Sequence, residues 1–424
     1  MIETDLRNES AEARKKRLQW FMDARYGMFV HWGIHSLVGR EVCSRIYEQL
    51  PVEEYESLAD VFNPKADWAS NLAKLAKKAG MRYMVLTCRH VDGYCLWDTK
   101  LTDYNCVAHG SGRDLFGEFA QACRAEGLRV GVYYALTDWR HPDGVNCQRD
   151  PDAMRRFVDY NHGQIRELLS NYGKIDVLWY DCVWPLYDEQ MEVVKMNQMV
   201  HELQPEIIVN DRSGVREDYG TPECVITPVE GKPWESCMTF NEHWGYTPID
   251  TKYKDSWDIA RMLRQVAAGA GNFLLNVGPD PNGDIPEPCE KALIEVGEWL
   301  ETNGPAIYEA TDPIDGFVPI ITGEFTAKGN TLYFHCNRWP GTEIGIGGVH
   351  GNILSVNYLG GPKVEFTHEN RRLVLRNLPE KAPSPIATVF EIKLDRTPRL
   401  GVPPQSYCLD DEKGWEEYWT KFAK

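Results

Sequence analysis

The stretch Ile175-Asp176-Val177-Leu178-Trp179-Tyr180-Asp181 decides the fold. Its apolar run is too continuous for a half-exposed strand, which would alternate. It predicts a strand covered on both faces, as in the parallel sheet of an α/β protein. A carboxylate ending such a strand, followed by Cys182, Val183 and Trp184, stands where α/β barrels carry their chemistry. An isolated strand-end aspartate could equally cap the next helix. The neighbouring segments decide between the two.

Outward from this stretch, residues 27–308 alternate short apolar strands with amphipathic helices. Strands are expected at Met28–His31, Tyr83–Thr87, Val130–Tyr134, Val177–Tyr180, Ile207–Asn210 and Phe273–Val277, with Ser236–Phe240 a weaker candidate. Helical patterns separate them: Trp68–Gly80, Leu115–Glu126 before Gly127, Met154–Ser170, Ser256–Ala270 and Glu290–Thr302. Strand–helix repetition makes a parallel sheet. Over this length it predicts an α/β fold, a TIM-like (β/α) barrel, irregular after Asn210 where the strand pattern blurs. Residues 1–308 are thus expected to form the catalytic barrel.

Past Tyr308 the helical period disappears. Residues 311–396 hold short alternating runs such as Thr331–His335, Leu373–Leu375 and Val389–Lys393 between glycine and proline turns. They predict a small antiparallel β-sandwich. The tail, 397–424, begins proline-rich and ends in a short helical pattern, Asp410–Lys424, with Trp415, Tyr418, Trp419 and Phe422. Such an aromatic stripe docks on its own protein or on a second subunit.

Composition narrows the function. With 63 acidic and 46 basic residues among 424, the net charge is −17, which disfavours nucleic acid and anionic membranes as partners. A neutral ligand suits this field better than a polyanion. Fourteen tryptophans and 20 tyrosines supply flat faces that stack on sugar C–H faces, although aromatics are also good core material. No run approaches a membrane span, and the polar start Met1–Leu6 does not read as a signal peptide. Twelve cysteines with no CxxC pair are expected as reduced thiols of a cytoplasmic protein. No GxGxxG, Walker loop or zinc spacing occurs, so no cofactor or metal is expected.

The strand ends carry the chemistry. They give Phe29-Val30-His31-Trp32-Gly33, then Thr87-Cys88-Arg89-His90-Val91-Asp92-Gly93, then Tyr133-Tyr134 and Trp139, then Trp179-Tyr180-Asp181, then Asn210-Asp211-Arg212. Histidine, aromatic, carboxylate and arginine side chains from distant segments meet on one barrel rim. Donors and acceptors among flat rings describe a pocket for a polyhydroxylated ligand.

These motifs, with Asn272-Phe-Leu-Leu-Asn-Val-Gly-Pro279 and Gly283, resemble the retaining α-L-fucosidases of glycoside hydrolase family 29 in order and spacing, from about Arg25 to Tyr308. The resemblance implies an exo-acting enzyme that releases terminal α-L-fucose from an oligosaccharide or glycoconjugate by double displacement. It assigns the nucleophile to Asp181. It leaves the acid/base residue on a variable loop, where Glu223 is the first candidate and Glu235 the second. His31, Glu41, His90, Tyr134, Trp179, Arg212 and Trp244 match its substrate-binding positions.

Two departures stand out. The chain has His90-Val91 where the family has two histidines, and Glu41-Val42 where it has tryptophan after the glutamate. Both shrink a side chain at the expected rim, so extra room beside the sugar ring is predicted. That room favours, as alternatives, a related α-L-glycoside such as an L-galactoside or a substituted fucoside. A carbohydrate-binding protein without turnover is the reading from a different class.

Overall fold

The computed structural model describes residues 6–401 apart from 184–185, 187–188 and 317–321. Two compact units divide the chain, Met1–Leu300 and Glu301–Lys424. The expected aromatic helix at 410–424 lies outside the described residues.

The first unit is built on seven strands: β1 Tyr26–Val30, β2 Tyr83–Arg89, β3 Arg129–Ala135, β4 Val177–Asp181, β5 Ile208–Val209, β6 Glu235–Met238 and β7 Asn272–Val277. They form one sheet in the order β5-β4-β3-β2-β1-β7-β6, and every pairing is parallel. Every residue of β2 and β7 is buried, which explains why their sequences run apolar without alternation. Helices connect the strands, and their starts follow from short acidic side chains. Asp114 and Asp255 accept hydrogen bonds from the backbone of Gly117 and Asp258 at 2.8 and 2.9 Å. Gly80 and Gly127, just past two helix ends, take φ of 83° and 69°, a conformation that favours glycine.

The irregularity predicted after Asn210 has a physical cause. The Asn210 amide bonds both the N–H and the C=O of Tyr180 at 3.0 Å, taking over from the main-chain ladder, and β5 shrinks to two residues. The gap between β5 and β6 is spanned by residues 219–223, which bridge to both sides: Asn210 to Tyr219, Gly220 to Trp234, Glu223 to Cys237. The two sheet edges meet through this segment, and it carries Glu223 to the rim.

Inward-facing side chains fill the space enclosed by the sheet. Phe29, Tyr83, Tyr133, Trp179, Cys237 and Leu274 belong to one buried cluster. The helix Ala11–Ala24, absent from the expected pattern, adds Leu18, Phe21 and Ala24 to it. Its Trp20 and Phe21 rings lie 6.2 and 5.9 Å from Tyr83, at the end of the strands away from Asp181.

Among the described residues the second unit holds seven antiparallel strands: β8 Gly323–Lys328, β9 Thr331–Cys336, β10 Ile344–Ile346, β11 Ile353–Tyr358, β12 Glu365–Glu369, β13 Arg372–Arg376 and β14 Thr388–Leu394. They make a three-stranded sheet, β10-β13-β12, and a four-stranded one, β11-β14-β9-β8. Phe334, Leu373, Leu375 and Phe390 are among the side chains of their shared core. This is the sandwich expected from the alternating runs.

Candidate active site

A cavity of about 270 Å³ lies at the C-terminal ends of the strands. Its floor is aromatic: Phe29, Tyr133, Trp179 and Trp244, with His31 and His90 between them. One wall is the segment Glu41-Val42-Cys43 with Tyr47. The opposite wall is Arg212, Glu223 and Cys237, and Asp181 stands between the two.

Arg212 organises the charges. Its Nη1 donates to Asp181 Oδ1 at 2.9 Å and its Nη2 to Glu223 Oε2 at 2.8 Å. Its Nε donates to Thr221 Oγ1 at 2.8 Å, and the guanidinium lies 4.5 Å over the Trp179 ring. One rigid fork thus spans both carboxylates and keeps them as neighbours. Tyr133 Oη donates to the other oxygen of Asp181 at 3.0 Å. Burial pushes the Asp181 carboxyl up, but the Arg212 charge and hydrogen bond, helped by His90 and the Cys182 backbone, outweigh it and hold it below the usual range. Asp181 is therefore ionised at neutral pH. Its oxygens bond Arg212 and Tyr133, so helix capping does not account for it.

The histidines are neutral. Burial pushes His31 down to about 3 and His90 down to about 4. His31 Nδ1 meets Asn276 Oδ1 at 2.6 Å, while Asn276 Nδ2 donates to the Trp244 carbonyl at 2.7 Å. That carbonyl can only accept, so Asn276 Oδ1 is fixed as an acceptor and the His31 proton is assigned to Nδ1. Its Nε2 is left as a hydrogen-bond acceptor for a ligand hydroxyl. His90 stacks on Tyr133 with ring centroids 5.5 Å apart. Glu41 ties the opposite wall to the Trp244 loop: its carboxylate accepts from the backbone N–H of Trp244 at 3.2 Å and Gly245 at 3.3 Å.

Of the residues expected at the site, His31, Glu41, His90, Trp179, Asp181, Arg212, Glu223 and Trp244 all line this cavity. Three expectations need correction. Tyr134 does not line it: its hydroxyl lies within 3.0 Å of Asn161 Oδ1 and 2.9 Å of Gln164 Oε1, beneath the Arg89 guanidinium, on the helix side of β3. Successive strand residues point to opposite faces, and Tyr133 is the one directed inward. Glu235 is also away from the cavity. It is fully buried one layer below, bonded to Tyr83 Oη and, at 3.0 Å, to Trp179 Nε1, while Cys237, two residues on, reaches the cavity. Burial pushes its carboxyl up to about 7. Val91 is the third: it is buried in the apolar cluster with Tyr133 and does not face the cavity, whereas Val42 does.

Phe29, Tyr133, Cys43, Tyr47 and Cys237 complete the lining. Inward parity along each strand was the available signal for Phe29 and Tyr133, since Tyr133 pairs in register with Trp179. Nothing in the sequence marked Cys43 or Tyr47. Among the described residues no group of three or more His, Cys, Asp or Glu side chains is placed to hold a metal ion.

Two carboxylates facing one aromatic cavity are the pair of groups that glycoside hydrolysis uses. A family model for α-L-fucosidases matches residues 3–305. The chain belongs to the α-L-fucosidase family. Tissue α-L-fucosidase of Bos taurus is 30% identical over 369 residues, covering 77% of this chain and 76% of that protein. α-L-Fucosidase isoenzyme 1 of Paenibacillus thiaminolyticus superposes with a TM-score of 0.84 at 36% identity, over 90% of this chain and 100% of that one. A family 29 α-L-fucosidase of Bacteroides thetaiotaomicron, solved as a covalent intermediate trapped with 2-fluoro-fucosyl fluoride, superposes with a TM-score of 0.79 at 25% identity, over 89% of this chain and 96% of that one. Retaining, double-displacement hydrolysis is the chemistry of this family.

Proposed function

We propose that this chain removes terminal α-L-fucose from small oligosaccharides or glycoconjugates, with Asp181 as nucleophile and Glu223 as acid/base. The observation that carries the assignment is the Arg212 fork, which bonds Asp181 and Glu223 at 2.9 and 2.8 Å over the Trp179 ring. In the first step an oxygen of ionised Asp181 attacks the anomeric carbon, and the bond to the leaving oxygen breaks as Glu223 gives it a proton. The product is a glycosyl ester on Asp181. In the second step Glu223 takes a proton from water, whose oxygen attacks the same carbon and releases Asp181. Retention requires the two carboxyls about 5–5.5 Å apart, a spacing one guanidinium can bridge.

The remaining side chains bind and orient the sugar. His31 Nε2 accepts a ring hydroxyl, and Tyr133 Oη holds Asp181 in place for attack. Phe29 and Trp244, whose rings lie 6.1 Å apart, offer apolar surface to the methyl group of a 6-deoxy sugar. Val42 leaves space in the wall opposite Arg212, and that space supports acceptance of a substituted fucoside beside fucose itself.

Turnover of a chromogenic α-L-fucoside tests the assignment. Asp181→Ala is expected to abolish turnover, and azide to restore it with a fucosyl azide of inverted configuration. Glu223→Ala is expected to yield the azide of retained configuration. Azide products of the opposite configurations would exchange the two roles, and full activity in either variant would remove that residue from the mechanism.

A further inference from the structure

The wall facing Arg212 ends in an unusual residue. Tyr47, last in the helical turn Ser44–Tyr47, lines the cavity yet is 73% exposed. Its backbone N–H bonds the Cys43 carbonyl at 3.1 Å, and Cys43 lines the cavity as well, so this turn sets the ring at the mouth. A contact residue carried on an ordered turn costs less entropy on binding than one on a mobile loop.

Depth within the cavity says which part of a substrate this ring meets. The Asp181 side chain is 22% exposed and that of Glu223 is 44% exposed, so the nucleophile lies inside and the acid/base outside. A sugar attacked by Asp181 therefore directs its scissile oxygen outward, toward Glu223 and the mouth. Tyr47, exposed on the rim of the same cavity, is placed to meet the group that leaves.

We propose that Tyr47 is the platform of an aglycone subsite, stacking the pyranose ring that departs when the glycosidic bond breaks. The proposal rests on the fucosidase reading above and extends it to the leaving group. It makes the preferred substrate a fucosyl group linked to another sugar ring rather than to a small or flexible alcohol.

Two substrates separate the subsite from the chemistry. α-L-Fucosyl fluoride loses fluoride ion and presents no ring to Tyr47; an α-L-fucosyl disaccharide presents one. For Tyr47→Ala, kcat/KM on the disaccharide is expected to fall by about tenfold while that on the fluoride stays within about twofold, and Tyr47→Phe, which keeps the ring, is expected to recover most of the loss. Unchanged disaccharide hydrolysis in Tyr47→Ala, or an equal fall on both substrates, would overturn the subsite. Wild-type protein inert on the fluoride would instead overturn the glycosidase reading, and the subsite with it.

Discussion

At the scale of single residues, two carboxyls near one arginine, Asp181 and Glu235, take different states because their surroundings differ. Asp181 bonds Arg212 directly and stays ionised. Glu223 shares the same fork at the outer edge. Glu235 lies below the Trp179 ring, bonded to the Tyr83 hydroxyl and the indole N–H, and burial pushes it up to about 7 from an ordinary 4.5. A folded-state value above the unfolded one means that the neutral acid is favoured in the fold. Its contribution is fully present below about pH 4.5 and is lost as pH rises through about 7. Glu235→Gln keeps a hydrogen-bonding amide and removes the titration. Denaturant unfolding of the two proteins is expected to show the wild type losing about 2–3 kcal/mol more than the variant between pH 5 and pH 8. Parallel pH dependence in the two proteins would show that Glu235 does not titrate in this window.

At the scale of the element, β3 turns one position into a site residue and the next into a structural one. Tyr133 faces Asp181, while Tyr134 faces the helix Pro151–Asn171 through Asn161 and Gln164. Tyr133→Phe removes a hydrogen bond to a carboxylate and is expected to lower kcat/KM by about tenfold or more. Tyr134→Phe is expected to leave kcat/KM within about twofold and to cost about 1–2 kcal/mol of stability in thermal melts. The pair also marks what the sequence could tell. Continuous apolar runs disclosed the strands of the first unit, and the residues ending them disclosed most of the rim. A strand buried on both faces gives no alternation from which to read which face points inward, so nothing in the pattern corrects the match of Tyr134, rather than Tyr133, to the family's substrate-binding positions. Glu223 was found through the resemblance rather than through any pattern, because single bridges to β5 and β6, and not a regular strand, hold its segment. Cys43 and Tyr47 reach the cavity from a connection whose path no periodicity encodes.

At the scale of the whole molecule, a net charge of −17 surrounds a cavity built for a neutral sugar. Charge repulsion acts on substrates that carry charge and is screened by salt. Hydrolysis of a neutral fucoside is expected to vary by less than about twofold in kcat/KM between 10 mM and 500 mM salt. A sulfated fucoside is expected to be a poorer substrate at low salt and to gain as salt is added. A neutral substrate with strong salt dependence would show that the acidic field acts on steps other than encounter.

In this mechanism Asp181 takes up the sugar as a covalent ester. Incubating the Glu223→Gln variant with 2-fluoro-α-L-fucosyl fluoride and mapping its peptides by mass spectrometry tests this directly. One 2-fluorofucosyl group per chain, carried on Asp181, is expected. Label on another residue, or turnover of the reagent with inversion and no adduct at all, would contradict it.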